Sequence, residues 1–310
     1  MPQHASAARL APQWAVPELP DVVLYVDALS ARITGLVLKR AFPLSPFVLR
    51  SVDPPLAALH GRMVRGVSRL GKRIVIGFDD EFYLVLHLMI AGRLRWRTPG
   101  QKPGVGPRML LAEFEFDTGR LLFTEAGSKK RASMHVVHGA GALQAIDRGG
   151  VEPLETSLEQ FRQALTGENH TLKRSLTDPR LFSGIGNAYS DEILHAARLS
   201  PLKLTQSLSG DEISRLFDAT RSTLQVWIER LRAAAAGAFP EKVTAFHDEM
   251  AVHGRFGKPC PVCGAPVQRI VYAANECNYC AMCQTGGRLL ADRALSRLLR
   301  EDWPKRLEEW

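Results

Sequence analysis

The sequence predicts a multidomain α+β chain: an N-terminal β-sandwich with flanking helices, a helical domain, and a C-terminal four-cysteine zinc module. Three observations carry that expectation. Between residues 36 and 124 the apolar residues alternate with period two in short runs separated by turn residues, as half-buried strands do. From about residue 145 the spacing changes to that of amphipathic helices. All five cysteines then fall between 260 and 283.

Taken in order, residues 1–16 are Ala-rich and irregular, and the first ordered element opens at Pro17-Glu18-Leu19-Pro20-Asp21. Pro20 suits the first turn of a helix, and Val22, Val26, Leu29 and Ile33 give that helix one apolar stripe ending near Gly35. Glu18 can cap local N–H groups or do proton chemistry; the stretch alone supports only the capping reading. Candidate strands follow at 36–42, 64–70, 73–78, 82–88, 93–96, 110–116 and 120–124. The last two are joined by the hairpin turn Asp117-Thr118-Gly119. Residues 97–108 are a loop rich in Gly and Pro.

Helices are predicted over 157–165, 172–177 and 187–195. The tight turn Ser183-Gly184-Ile185-Gly186-Asn187 comes before the last of these, and its free N–H groups suit an anion such as phosphate. Ser209 and Glu212 read as a capping box for a long helix reaching Ala236, with Leu208 as its hydrophobic staple. A last helix, Leu289 to Arg300, carries a leucine-rich face. The resulting boundaries are a leader (1–16), the sandwich (17–145), the helical domain (146–245), the cysteine hairpin (246–284) and an extra C-terminal helix (285–310).

Cys260-Pro-Val-Cys263 and Cys280-Ala-Met-Cys283, with 16 residues between the pairs, have the spacing of one structural Zn2+ held by four thiolates. Cys277 is left over as a bystander. Such clustering points to a reducing compartment rather than an extracellular disulfide scaffold, and with no apolar run of membrane-spanning length the chain is expected to be cytoplasmic and monomeric. The net charge of +8 favours a polyanionic partner. The basic residues cluster at Arg62, Arg65, Arg69, Lys72 and Arg73, at Lys129, Lys130 and Arg131, and around the cysteines at Arg255, Lys258, Arg269 and Arg288. Such patches suit a groove along a duplex backbone.

From Pro17 to about Gln284 the chain resembles the formamidopyrimidine-DNA glycosylase / endonuclease VIII family of base-excision repair enzymes. The resemblance rests on Pro-Glu-Leu-Pro-Asp, Gly71-Lys72, His87-Leu88, Ser183-Gly-Ile-Gly-Asn187 with Tyr189 and Glu192, Val252-His-Gly-Arg255, and the cysteine knot ending in Gln284. It implies that the helical region is a helix–two-turn–helix domain and that damaged double-stranded DNA lies between the lobes. It further implies a bifunctional glycosylase/AP lyase that removes oxidised purines, with oxidised pyrimidines or non-catalytic lesion binding as alternatives. Pro17 would be the imine-forming nucleophile, Glu18 the acid–base group and Lys72 a phosphate contact that helps the lesion leave.

By the same resemblance, the DNA contacts would be His87, Ile90, Lys130, Arg131, Lys173, Asn187, Arg255 and Asn275. Ile90 stands where relatives place a methionine wedge, Asn275 where they place an arginine, and His253 where a tyrosine is common. Residues 125–132 lack the aromatic of the usual loop, and 237–243 has no clear counterpart of the loop that cups oxidised guanine. Proline attacks only if its nitrogen is free of a peptide bond to Val16. A valine there is what an internal GTG start codon encodes, so the physiological chain is expected to begin at residue 16 with its initiator removed.

Overall fold

The computed structural model describes residues 16–310 except 128, 242, 245, 273, 274, 292–304 and 308–310, and leaves out the side chains of 272 and 275. The leader up to residue 15, the C-terminal helix beyond residue 291 and the side chain of Asn275 therefore lie outside the described residues.

Helix α1 (Leu19–Ile33) has Pro20 in its first turn, and Asp21 accepts the Glu18 N–H at 2.8 Å. Its buried residues divide between two cores. Val22, Tyr25, Leu29 and Ile33 face the sandwich, whereas Leu19 packs into the helical domain. One helix thus joins the two lobes.

The sandwich consists of two antiparallel four-stranded sheets. One has the order β1 (Arg40–Pro43), β6 (Leu110–Phe116), β7 (Gly119–Glu125), β5 (Gly92–Arg97). The other runs β2 (Val64–Leu70), β3 (Arg73–Phe78), β4 (Phe82–His87), β8 (Ser133–His138). Alternation sets the inner face: Ile74, Ile76, Leu84, Leu86, Met134 and Val136 meet Leu94, Leu111, Phe114, Leu121 and Phe123 in one core. Strand β8 is absent from the sequence reading, because two apolar residues between histidines are a weak signal. Strand β1 begins later than predicted: residues 36–38 bridge to 62–64 instead, with Val37 opposite Met63.

After the short helix α2 (Ala140–Gln144) the helical lobe holds α3 (Leu158–Thr166), α4 (Leu172–Thr177), α5 (Asn187–Ala196) and α6 (Gly210–Ala235). Ser209 and Glu212 form the expected box, Glu212 N–H to Ser209 Oγ at 3.2 Å and Ser209 N–H to Glu212 at 2.9 Å. Phe161, Leu176, Phe182, Tyr189, Ile193, Leu216 and Trp227 fill the core. The chain then returns to the sandwich. Phe239 and Val243 pack into its core, and Glu241 pairs with Arg95 (2.8 Å) and Arg97. The cysteine hairpin follows as β9 (Val267–Tyr272), β10 (Asn275–Cys280) and α7 (Ala281–Thr285). No helix among the described residues is long and apolar enough to cross a membrane.

Candidate active site and nucleic-acid interface

The site forms where the start of the chain's ordered part meets the start of α5. Leu19 N–H donates to Gly184 O at 2.9 Å, which docks the buried Pro17-Glu18-Leu19 stretch on the glycine turn. Gly184 has φ +80°, and a Cβ on it would sit 2.9 Å from Leu19 Cβ, so only glycine allows this approach. The Glu18 carboxylate then accepts three backbone N–H groups: Gly186 at 2.7 Å, Ala188 at 2.9 Å and Tyr189 at 3.2 Å. The anion expected at this helix start is therefore the protein's own glutamate, favoured there by orphan donors and the helix dipole. Glu18 does act as a cap, both in a capping box with Asp21 at its own helix and at the start of a helix about 170 residues away.

Lys72 enters from the other lobe on the β2–β3 turn, where Gly71 (φ +61°) supplies the left-handed residue a two-residue hairpin needs. Its ammonium and the Glu18 carboxylate both crowd Gly186. A Cβ there would lie 2.2 Å from Lys72 Nζ and 2.5 Å from Glu18 Oε1. Lys72 makes no hydrogen bond among the described residues. Burial lowers its pKa from the usual lysine value; Glu18 and Asp21 oppose the shift and Lys173 adds to it. Below Glu18, burial pushes the Asp21 carboxyl up to about 7.

The outer face of the second sheet continues the site. Strand register places Arg73 opposite His87 and His87 opposite Ser133. Desolvation first, then Arg73 and Lys72, bring His87 down to about 4, so its imidazole is neutral at pH 7. Met89 N–H donates to its Nδ1 at 3.2 Å, which leaves the proton on Nε2. Ile90 is exposed at the following turn, beside Met89 with φ 53°. On the 126–131 loop, Glu125 accepts the N–H of Arg131 at 3.0 Å and Lys130 donates to the Glu125 carbonyl. The Arg131 side chain is left exposed.

Several predicted contact residues are engaged within the protein. Lys173 donates to Asn187 O (2.6 Å), Ser190 Oγ (2.8 Å) and Asp191. Asp191 also accepts from the His253 ring at 2.8 Å and from Asn278 N–H at 3.1 Å. Glu192 takes the N–H groups of Ala251, Val252 and His253. Asn187 donates to Glu276 O at 2.8 Å, and Arg255 to Asp248 O and Pro259 O. Arg62 pairs with Asp80 and stacks on Phe82, while Arg69 bonds Ser183 and Glu152, so the 62–73 cluster is not a uniformly free basic patch. The sequence reading missed Asp21, Glu125 and Asp191. Asp21 and Glu125 stand next to apolar residues in the sequence, whereas Asp191, between Ser190 and Glu192, carried no such signal.

The cysteine knot meets the test for a metal. The Sγ atoms of Cys260, Cys263, Cys280 and Cys283 all lie within 4.8 Å of one another, with Cys260–Cys283 at 3.9 Å and Cys263–Cys280 at 3.4 Å. Thiolates about 2.3 Å from a tetrahedral zinc would be about 3.8 Å apart. Cys277 is buried on β10 outside this group, and burial pushes its thiol up. His195 Nε2 lies 3.3 Å from Cys260 Sγ. Gln284 accepts Cys280 N–H at 2.8 Å and donates to Leu199 O at 2.9 Å, which fixes the knot to the end of α5.

A sandwich and a helical lobe meeting at a carboxylate and an amine, with a cysteine hairpin alongside, is the layout of a two-lobed DNA-repair enzyme. Family models agree: residues 16–130 match the formamidopyrimidine-DNA glycosylase N-terminal domain, and residues 150–236 its H2TH domain. A formamidopyrimidine-DNA glycosylase of Heliobacterium modesticaldum is 32% identical over 282 residues, covering 87% of this chain and 100% of that protein. A Mycobacterium tuberculosis formamidopyrimidine-DNA glycosylase-like protein is 41% identical over 152 residues, 49% of this chain and 94% of its own length. Among solved structures, a Lactococcus lactis enzyme in complex with FAPY-dG containing DNA superimposes with TM-score 0.76 at 26% identity, over 86% of this chain and 100% of that one. The chain belongs to the formamidopyrimidine-DNA glycosylase family.

Proposed function

We propose that the protein is a bifunctional DNA glycosylase and AP lyase that removes oxidised purines from double-stranded DNA. The observation that carries this reading is the Glu18 carboxylate, clamped by three N–H groups directly after Pro17 and beside an amine with no hydrogen bond. A purely structural cap would not need a half-buried lysine held next to it without a hydrogen bond among the described residues.

In this reading the Pro17 nitrogen, once free of Val16, attacks C1′ of a damaged nucleotide turned out of the duplex. A free α-amine has a pKa of about 8, so part of it is neutral at pH 7. Glu18 moves protons at the sugar, and its fixed geometry removes the need to reorganise during the reaction. The iminium of a secondary amine keeps its positive charge and acidifies C2′–H, which drives loss of the 3′ and then the 5′ phosphate. Lys72 and neutral His87, with its Nε2–H, would donate to phosphate oxygens. Ile90, already exposed, would fill the gap left in the stack. Zinc, held by the four cysteines, would supply only rigidity to the hairpin that Asn187 contacts.

A second reading, excision of oxidised pyrimidines, is favoured by one observation. Phe239 and Glu241, in the stretch that would have to cup a purine, are instead pinned to the sandwich. Borohydride trapping on duplexes carrying formamidopyrimidine, 8-oxoguanine or an oxidised pyrimidine tests both. A chain that begins at Pro17 should trap on the purine lesions, and the intact mass of the protein from its native host should show that nitrogen free. A native species that keeps Met1 and has full lyase activity would refute the role of Pro17.

A further inference from the structure

We propose that Lys72 is a second imine-forming amine in this cleft, opening abasic DNA in any chain whose Pro17 nitrogen stays in its peptide bond to Val16. The inference rests on the cleft being the glycosylase/lyase site proposed above.

An amine nucleophile must stand in the cleft, be free of hydrogen bonds and be partly neutral. Three lysines are candidates. Lys173 has three internal partners, one of them the buried carboxylate of Asp191, and burial combined with those partners leaves its pKa raised overall. Lys130 is tied to the Glu125 carbonyl. Lys72 alone of the three meets the geometric condition: it sits on a hairpin turn, it has no hydrogen bond among the described residues, and its Nζ crowds the same glycine as the Glu18 carboxylate. Burial favours its neutral form as well.

The substrate class is an aldehyde sugar in DNA, the ring-opened form of an abasic deoxyribose. Neutral Nζ adds to C1′; the carbonyl electron pair moves to oxygen, which takes a proton, and water leaves to give the protonated imine. Loss of the C2′ proton sends its electron pair toward C1′, and that pair then breaks the C3′–O bond and expels the 3′ phosphate. Water hydrolyses the imine and returns the lysine. Unlike the iminium of proline, the imine of a primary amine can shed its N–H and lose its charge. Glu18 beside it keeps that proton in place, so the two groups act as a pair.

The experiment uses the 1–310 chain with Met1 verified by mass, an abasic duplex and borohydride, followed by tryptic mapping of the adduct. The expected adduct lies on the peptide containing Lys72. Lys72→Arg in the same chain should lose trapping while its melting temperature stays unchanged. An adduct at another residue, undiminished trapping by Lys72→Arg, or no trapping by the 1–310 chain would overturn the proposal. A chain beginning at Pro17, run in parallel on a purine lesion, separates the two claims. If it excises and traps while the 1–310 chain is silent, only the role of Lys72 falls. If it does neither, the function of the cleft falls and this inference with it.

Discussion

Two lysine–carboxylate pairs flank α5, and they are built for opposite purposes. At the helix start, Glu18 is fixed by three backbone N–H groups while Lys72 stands beside it without a hydrogen bond among the described residues. Along the helix side, Lys173 and Asp191 are fully engaged with each other and with Ser190, Asn187, His253 and Asn278. In the proposed function the first pair keeps a group free for a ligand, and the second joins the helical lobe to the cysteine hairpin.

The contrast can be broken in several ways. The largest effect is expected from breaking the four-cysteine site, which would hold a zinc ion beside α5. Structural zinc binding in small modules is worth about 10 kcal/mol or more. Cys280→Ala should therefore abolish zinc stoichiometry and DNA affinity together, measured by metal analysis and a binding titration. Next is Asp191→Ala, which leaves Lys173 buried without its anion. Breaking such a pair costs about 3–5 kcal/mol, read as a fall in the denaturation midpoint.

Glu18→Gln should do the reverse of Asp191→Ala. Excision is expected to fall by about 100-fold or more, since an acid–base group is lost. Stability should drop by only about 1–2 kcal/mol, because one amide oxygen still accepts from the α5 N–H groups. A variant that loses stability without losing rate would make Glu18 a cap and nothing more.

A smaller effect concerns pH. The folded Asp21 carboxyl, raised by burial to about 7, holds a proton that the unfolded chain releases near 3.8. Between those values the native state binds more protons, so this group's contribution to stability falls as pH rises from about 4 to 7. Asp21→Asn should flatten that slope and stabilise the fold above pH 7, measured by melting across pH. His87 works in the opposite sense. With a folded value of about 4 against 6.5 unfolded, its contribution is lost as pH falls through that window. Smallest is Ile90→Ser. An exposed turn residue should change stability by no more than about 0.5 kcal/mol while lowering excision, which distinguishes a wedge from core packing.

Much of this was legible in the sequence because it is local. The period-two runs, the Ser209–Glu212 box and the two cysteine pairs each carry their structural reason within a few residues. Strand β8 was not legible, since its place in the sheet comes from pairing with β4 and not from a strong pattern of its own. The proposed catalytic pair was half legible. Glu18 and Lys72 could be named from motifs, but the helix that Glu18 caps begins at Asn187, and no local rule links them. The reading also overestimated the free positive charge: Arg62, Arg69 and Lys173 find carboxylates that are distant in sequence.

The most direct test is the mapped borohydride adduct of a chain beginning at Pro17, trapped on a formamidopyrimidine duplex. The account predicts a single adduct on the peptide that starts with Pro17. An adduct on Lys173, or strand cleavage at full rate with no adduct near Glu18, would contradict it.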